Sequence, residues 1–143
     1  MQKQLYTITE NRLVATDTYR LSFSGSGAVD GEFVHLDIPG FYLRRPLSVC
    51  DTFEGGFMLL YKTVGEGTRK LATLPVGTQL SVLTGLGRGF DASACTSSAL
   101  LVGGGLGAAL LLRQEQDPQD QDHHSQHGGE AEGGLGGGVE KDL

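Results

Sequence analysis

Cysteine is scarce in this chain, and long apolar runs are missing. The two cysteines, Cys50 and Cys95, form neither a disulfide framework nor a metal-binding spacing. We expect two buried thiols in a reducing compartment. The apolar runs are far shorter than a membrane span, and no apolar run follows the charge in residues 1–6, so no signal peptide is expected. These features together predict a cytoplasmic protein without a membrane partner.

An excess of one charge is missing from most of the chain. Residues 1–112 carry nine acidic and nine basic side chains, so the whole formal net charge of −6 lies beyond Leu112. Nucleic-acid binding depends on neutralising many phosphates with Lys and Arg. Nucleic acid is therefore not expected as the main partner.

Aromatic residues stop at Phe90, and from Arg113 the sequence is polar, acidic and glycine-rich. Such a segment cannot bury enough apolar surface to offset the entropy of ordering it, so residues 113–143 are predicted to be disordered. His123, His124 and His127 have spacings that a metal could use. Because they lie in a low-complexity segment, nothing beyond adventitious metal binding is expected there.

Short segments of alternating apolar and polar residues dominate the first ninety positions. Strands are predicted at residues 5–9, 13–16, 19–23, 33–38, 47–51, 57–63 and 79–83. Many short strands separated by turns favour a closed barrel or a sandwich. One short helix is predicted within this region, with Thr68 as its N-cap, residues 69–74 as its body and Pro75 as its end.

The pattern changes after residue 92. Residues 99–102 form a continuous apolar run, which is typical of a strand buried on both faces of a parallel sheet. A glycine turn and a second apolar run follow, which together predict the first strand, turn and helix of an α/β domain. Glycines in this place would let a phosphate approach, although the full dinucleotide fingerprint is not present. The weaker nucleotide site predicted here consists of Gly103, Gly104, Gly105, Leu106 and Gly107.

The segment Arg45-Pro46-Leu47-Ser48 could bind a nucleotide diphosphate and an adjoining flat ring. Pro46 fixes one backbone dihedral and biases Arg45 towards an extended conformation. The Arg45 guanidinium is a charged fork that suits a diphosphate. Leu47 could lie against the ring, and Ser48 could hydrogen-bond a ring nitrogen. The motif alone is equally compatible with a surface arginine before an edge-strand proline.

A second segment strengthens this interpretation. Gly65 and Gly67 permit close approaches that side chains would block. Thr68 is predicted to start a helix whose free amides could bind a phosphate. The strand segment Leu60-Tyr61-Lys62 could line the ligand, with Tyr61 and Lys62 as polar contacts. The alternatives are a plain loop with a capped helix and ordinary strand residues.

Taken together, these stretches resemble the ferredoxin-reductase family of flavoproteins. The order and spacing are most similar to the electron-transfer subunits of NAD-dependent (type B) dihydroorotate dehydrogenase, from the start of the chain to about Leu112. Residues 85–90 resemble the segment that joins barrel and nucleotide domain in that family, with Gly85 where a proline is usual. The resemblance rests on Arg45-Pro46-Leu47-Ser48, Leu60-Tyr61-Lys62, Gly67-Thr68-Arg69-Lys70-Leu71 and Val102-Gly103-Gly104-Gly105-Leu106-Gly107.

The resemblance implies a mainly β fold: a six-stranded antiparallel Greek-key barrel that binds FAD and contains one short helix. The barrel would occupy residues 1–92, and the start of an incomplete nucleotide-binding domain would occupy residues 93–112. Arg45, Gly67 and Thr68 would hold the FAD phosphates, while Leu47 and Ser48 would face the flavin ring. The family also implies a heterotetramer with a catalytic FMN subunit and electron flow from dihydroorotate through a [2Fe-2S] cluster and FAD to NAD, in pyrimidine biosynthesis.

Two departures from the family limit what is expected here. A [2Fe-2S] cluster needs four thiolates, and Cys50 and Cys95 both precede the glycine turn, so they do not match the family's ligands. The loss of aromatics after Phe90 suggests a truncated or frame-altered gene. The alternatives are an electron-transfer subunit of another such system, of the sulfide dehydrogenase or sulfite reductase type, and a cofactor-free β-barrel interaction module.

Overall fold

Six antiparallel strands close into a barrel in the order β1-β2-β5-β4-β3-β6. The computed structural model describes residues 1–112. A short helix, α1, lies between β5 and β6, and a second one, α2, ends the described part of the chain. This architecture confirms the predicted six-stranded antiparallel barrel. The elements are β1 (Gln2–Ala15), β2 (Thr18–Ser24), β3 (Phe33–Leu36), β4 (Arg45–Phe53), β5 (Gly56–Lys62), α1 (Glu66–Ala72), β6 (Gln79–Leu86), a 3₁₀ turn (Ala92–Ala94) and α2 (Gly107–Leu112).

Alternating burial along β3, β5 and β6 helps to fill the interior of the barrel. In β5 the side chains of Phe57, Leu59 and Tyr61 are buried, whereas Met58 and Leu60 between them are partly exposed. This is the period of two that a strand imposes on its side chains. Burial of these apolar groups is the main force that holds the barrel closed. The core consists of Tyr6, Ile8, Leu21, Phe23, Val34, Leu36, Ile38, Val49, Phe57, Leu59, Tyr61, Leu71, Leu80 and Val82.

The first strand corrects the prediction of two short strands at residues 5–9 and 13–16. The structure has one strand of 14 residues, β1, with irregularities between Ile8 and Glu10 and between Leu13 and Ala15. Its first half pairs with β6 and its second half with β2. The polar residues Glu10, Asn11 and Arg12 suggested a turn, but all three pair with β2, just after the irregularity that follows Ile8.

The helix α1 also differs from its prediction. It begins at Glu66 and ends at Ala72, and its N-cap is Gly65, so Thr68 is a helical residue and not the cap. The Thr68 hydroxyl accepts a hydrogen bond from the Gly65 N–H at 3.1 Å, which is one half of a capping box. The prediction placed the start too late because it took the hydroxyl residue itself for the cap.

The region after the barrel departs further from the sequence-based expectation. Helix α2 forms, but residues 99–102 are not a strand, and Leu100 and Val102 are 89% and 81% exposed. A buried strand needs hydrogen-bonded neighbours, and none of the six barrel strands pairs with this run. Cys95 is only half-buried, so the prediction of two buried thiols holds for Cys50 alone.

The predictions for residues 113–143, including a disordered tail and the three histidines, lie outside the described residues. Within residues 1–112, no helix has the length and apolar character needed to cross a membrane.

Arg44 joins three parts of the barrel wall. Its Nη1 donates to the carbonyl oxygens of Ser81 at 3.0 Å and His35 at 3.3 Å, and its Nη2 donates to the Ser81 hydroxyl at 2.9 Å. It also forms an ion pair with Asp37 at 3.3 Å. A guanidinium with this many acceptors on β3 and β6 is a structural cross-link.

We expect Arg44→Ala to lower the free energy of unfolding by about 1–2 kcal/mol, because it removes the donor to the His35 carbonyl and the Ser81 hydroxyl. The Ser81 carbonyl loses one donor but keeps the Asp37 N–H. The ion pair with Asp37 adds little to this loss of stability, because the Asp37 carboxylate is half exposed and solvent screens the pair. Urea denaturation should show a lower midpoint at an unchanged slope. An unchanged midpoint would mean that water replaces the guanidinium without loss.

Candidate functional site

The strands β4 and β5 separate at one end of the barrel. Their pairing runs from Phe53 and Gly56 to Val49 and Leu59 and ends there. Beyond that point β4 continues back to Arg45 along β3, and β5 continues to Lys62 along β2. Each strand therefore turns one backbone edge towards the gap. Helix α1 starts beside the same gap, because it follows β5 after a short connection.

Arg45 lies across this end of the barrel and packs against the start of α1. A Cβ built on Gly67 would lie 2.7 Å from Arg45 Nε and 3.1 Å from its Nη2. The guanidinium carbon is 5.3 Å from the centre of the Phe41 ring, and Nη1 donates to the Leu43 carbonyl at 2.6 Å. The carbonyl and the ring thus fix the guanidinium over a residue that has no side chain.

A cleft of about 450 Å³ opens at this position. Its volume is within the range of small-molecule sites. Two charged side chains of opposite sign line the cleft, Arg45 and Glu66. The electrostatic field that a ligand meets therefore depends on how closely it approaches the arginine. The lining residues are Phe41, Arg45, Val64, Gly65, Glu66, Gly67 and Thr68.

The first turn of α1 presents main-chain amides to the cleft. The first backbone hydrogen bond of the helix runs from the Arg69 N–H to the Gly65 carbonyl at 3.0 Å. The amides of Gly67 and Thr68 precede it and have no acceptor four residues earlier within the helix. The Thr68 hydroxyl is occupied, since it also donates to the Gly65 carbonyl at 3.0 Å. Thr68 can therefore offer a ligand its amide, but not a free hydroxyl.

Two of the residues proposed from the sequence point into the barrel. Tyr61 is 1% exposed, and its hydroxyl donates to Asn11 Oδ1 at 2.9 Å. Burial raises the pKa of this hydroxyl far above its usual range, so Tyr61 stays neutral. Leu47 packs against the core cluster. The side chains of both residues therefore support the barrel wall from inside.

The other strand residues lie on the outer face. Pro46 and Ser48 are exposed on β4, and Leu60 and Lys62 alternate with buried Tyr61 on β5. The thiol of Cys50 donates to the Ser48 carbonyl at 3.9 Å. Burial raises the pKa of that thiol, which leaves it protonated and unreactive near neutral pH. Pro46, Ser48, Leu60 and Lys62 therefore form an outer strand surface at this end of the barrel, beside the Arg45 cleft.

The glycine turn after the barrel does not join the cleft. A Cβ on Gly103 would lie 2.8 Å from Ala108 Cα and 2.9 Å from Leu111 Cδ1, so this turn packs onto its own helix α2. None of Gly103, Gly104, Gly105, Leu106 and Gly107 lines the cleft around Arg45.

The sequence-based prediction gave no role to four residues of this region, Phe41, Val64, Glu66 and Asn11. Phe41 follows the turn formed by Pro39 and Gly40, and an aromatic residue four positions before Arg45 was a detectable signal. Glu66 lines the cleft beside two predicted residues. Asn11 gave no signal at all, because its hydrogen-bond partners lie 50, 60 and 63 positions away.

Comparison with known proteins gives the following relatives. No family model matches the chain. It is 37% identical over 116 residues to the dihydroorotate dehydrogenase B (NAD(+)) electron transfer subunit of Fusobacterium nucleatum, covering 73% of this chain and 45% of the relative. The subunit of Geobacillus kaustophilus is 39% identical over 120 residues, with 76% and 47% covered. That of Bacillus cereus strain Q1 is 35% identical over 127 residues, with 81% and 49% covered. The chain spans about half the length of the curated relatives it matches.

Solved structures share the barrel. An NADH-dependent reduced ferredoxin-NADP oxidoreductase, described in connection with flavin-based electron bifurcation, is 27% identical with a TM-score of 0.56, covering 62% of this chain and 34% of that one. A cytochrome P450 reductase from Amycolatopsis has a TM-score of 0.65 at 24% identity, with 78% and 37% covered. The ferredoxin reductase of carbazole 1,9a-dioxygenase has a TM-score of 0.62 at 16% identity, with 82% and 40% covered. The last two establish the fold alone.

Proposed function

We propose that this chain belongs, over the length that it shares with them, to the family of dihydroorotate dehydrogenase B electron-transfer subunits. We also propose that its barrel binds FAD and serves electron transfer. One observation carries the proposal: the Arg45 guanidinium meets the start of α1 at Gly67, within a cleft of about 450 Å³. A permanently charged fork and free main-chain amides in the same place form a binding site for a pyrophosphate.

The phosphate contacts follow from the donors that remain free. A guanidinium has five N–H donors in one plane, and the Leu43 carbonyl accepts from one side of it. The other side faces Gly67, and the amides of Gly67 and Thr68 in the same turn have no acceptor within the helix. In this arrangement Arg45 supplies the positive charge, and the N–H groups of the amides orient the phosphate oxygens. Because Gly67 has no side chain, the guanidinium can lie close to the helix backbone.

The flat ring of the flavin would lie along the gap between β4 and β5. The backbone edges of residues 45–48 and 60–62 offer donors and acceptors there, and the exposed Ser48 hydroxyl can hydrogen-bond a ring nitrogen. Pro46, Leu60 and Lys62 would contact the ligand from the outer face, while Leu47 and Tyr61 hold the strands in place from inside. Bound FAD would supply the exchange between one-electron and two-electron steps.

The partners of the whole relatives are proposals for this chain as well. We infer a catalytic FMN subunit as its partner and NAD as the final acceptor, since the relatives are named as electron-transfer subunits of an NAD(+) enzyme. The [2Fe-2S] cluster of the family does not fit the described residues, which hold Cys50 and Cys95 where four thiolates are needed. Two free thiols are consistent with the cytoplasm as the compartment.

Titration of the purified full chain with FAD tests the proposal. We expect saturable quenching of flavin fluorescence at one FAD per chain. ADP should compete, because it carries the pyrophosphate, and FMN should bind more weakly, because it has a single phosphate. A chain that is folded by circular dichroism but quenches no flavin at millimolar FAD would refute the proposal and support the cofactor-free interaction module.

A further inference from the structure

Asn11 links three elements that are distant in sequence. From the middle of β1, its Nδ2 donates to the Leu71 carbonyl at 2.8 Å and to the Leu74 carbonyl at 3.0 Å. Its Oδ1 accepts from the Tyr61 hydroxyl at 2.9 Å. The first two acceptors lie at the C-terminal end of α1, and Tyr61 lies at the end of β5. One amide side chain thus ties β1 to the strand before the cleft and to the helix that borders it.

The chemistry of these contacts requires an amide. Both N–H groups of Nδ2 are used. One meets the Leu71 carbonyl, which also accepts from the Leu74 N–H at 3.1 Å, and the other meets the Leu74 carbonyl, two residues beyond the end of the helix. A carboxylate in the same place would offer no donor and would face two carbonyl oxygens. A hydrophobic residue would leave the Tyr61 hydroxyl without its acceptor. Tyr61 is only 1% exposed, so water could not easily replace that acceptor.

Helix α1 depends on such anchors. It has seven residues, which is too short to be stable in isolation. Its apolar anchors are Leu71, which is fully buried in the core, and Leu74 just beyond its end, which packs against the core. Both anchors lie at the C-terminal end, so the first turn with Gly67 could still tilt about them. The bonds of Asn11 at the C-terminal end restrict this tilt, and the tilt determines how far Gly67 stands from Arg45 at the other end.

We propose that Asn11 is a positioning residue for the cofactor cleft, and that it holds α1 at the orientation that brings Gly67 against the Arg45 guanidinium. This inference rests on the proposed FAD site. Asn11 does not line the cleft itself, so its effect on the ligand is exerted through the helix. Tyr61 contributes to the same positioning, since its hydroxyl donates to the Oδ1 of Asn11 and so holds the side-chain amide from the opposite side.

The decisive variant is Asn11→Asp, which keeps the shape of the side chain and removes both donors. We expect the dissociation constant for FAD to rise at least about tenfold, the equivalent of one to two lost hydrogen bonds of average strength, since both donors are removed. Tyr61→Phe keeps the Asn11 donors and should give a smaller rise. Affinities are compared at a temperature at which circular dichroism shows every variant to be folded.

A matched control separates positioning from general destabilisation. Val82→Ala removes core volume on β6, and it should lower the unfolding midpoint while leaving the FAD affinity within about twofold. If Asn11→Asp weakens FAD no more than Val82→Ala does, Asn11 is a structural residue only and the inference is wrong.

Hydrogen exchange gives a readout that does not need the ligand. In Asn11→Asp, the amides of residues 69–74 should exchange faster, while those of β2 and β5 keep their protection. Uniform acceleration across the barrel, or none in α1, would overturn the inference. If the unaltered chain binds no FAD at all, the proposed function fails, and the exchange pattern alone then decides whether Asn11 orients the helix.

Discussion

Replacing Arg45 by alanine is expected to raise the dissociation constant for FAD by about 10- to 150-fold, which corresponds to about 1.5–3 kcal/mol. The change removes the one basic side chain among the residues that line the cleft. It also leaves Glu66 as the single charge there, and this carboxylate repels an anionic ligand. Flavin fluorescence quenching measures the change directly.

The neighbouring arginine is the matched control for this prediction. Arg44→Ala removes the same charge one position away, but Arg44 is bound to Ser81, His35 and Asp37 and does not line the cleft. We expect the two variants to behave in opposite ways: Arg44→Ala lowers stability and keeps FAD, whereas Arg45→Ala keeps stability and loses FAD. Equal effects of both variants on FAD would mean that net charge, and not the Arg45 fork, governs binding.

Arg45→Lys refines the same experiment. Lysine keeps the positive charge but replaces the planar fork by a point charge, and it cannot reach the Leu43 carbonyl and the Gly67 region at the same time. An affinity between those of the unaltered chain and Arg45→Ala is therefore expected. Full recovery by lysine would show that the bond to Leu43 contributes nothing to the placement of the charge.

The barrel could be predicted from sequence because its signals are local. Alternation along β2, β5 and β6 follows from which side chains are buried, and each turn contains glycine or another turn-forming residue. Continuity of β1 could not be predicted. Glu10 and Arg12 are polar because they pair with each other on the outer face, and Asn11 is polar because it bonds to a helix sixty positions away. Neither reason is visible in the sequence around them.

The candidate site was predictable in part for the same reason. The order of Arg45, Gly67 and Thr68 in the sequence indicated that they meet, and the structure places Arg45 against Gly67. The expectation that Leu47 and Ser48 both face one ring conflicts with strand geometry, since successive side chains point to opposite faces. The structure follows the geometry: Leu47 packs on the core and Ser48 is exposed.

Gly67→Ala should separate binding from stability more sharply than any other single change. The new Cβ would stand 2.7 Å from Arg45 Nε, a distance at which one of the two groups must move. Arg45 is a flexible side chain and will move, which breaks its alignment with the α1 amides. We expect the dissociation constant for FAD to rise by about tenfold or more. Stability should be unchanged or greater by up to about 1 kcal/mol, because alanine is the better helix former.

A double-mutant cycle decides whether the effect acts through Arg45. In an Arg45→Ala background the added methyl group has no guanidinium to displace, so Gly67→Ala should cost little further affinity, and the two changes should be clearly non-additive. Gly107→Ala is the matched control, since it places alanine in α2 where no atom lies within 4 Å, and FAD binding should be unaffected. Full additivity in the cycle would mean that the methyl group blocks the ligand directly. The contact between Arg45 and Gly67 would then be a neighbouring feature of the cleft and not the arrangement that holds the pyrophosphate.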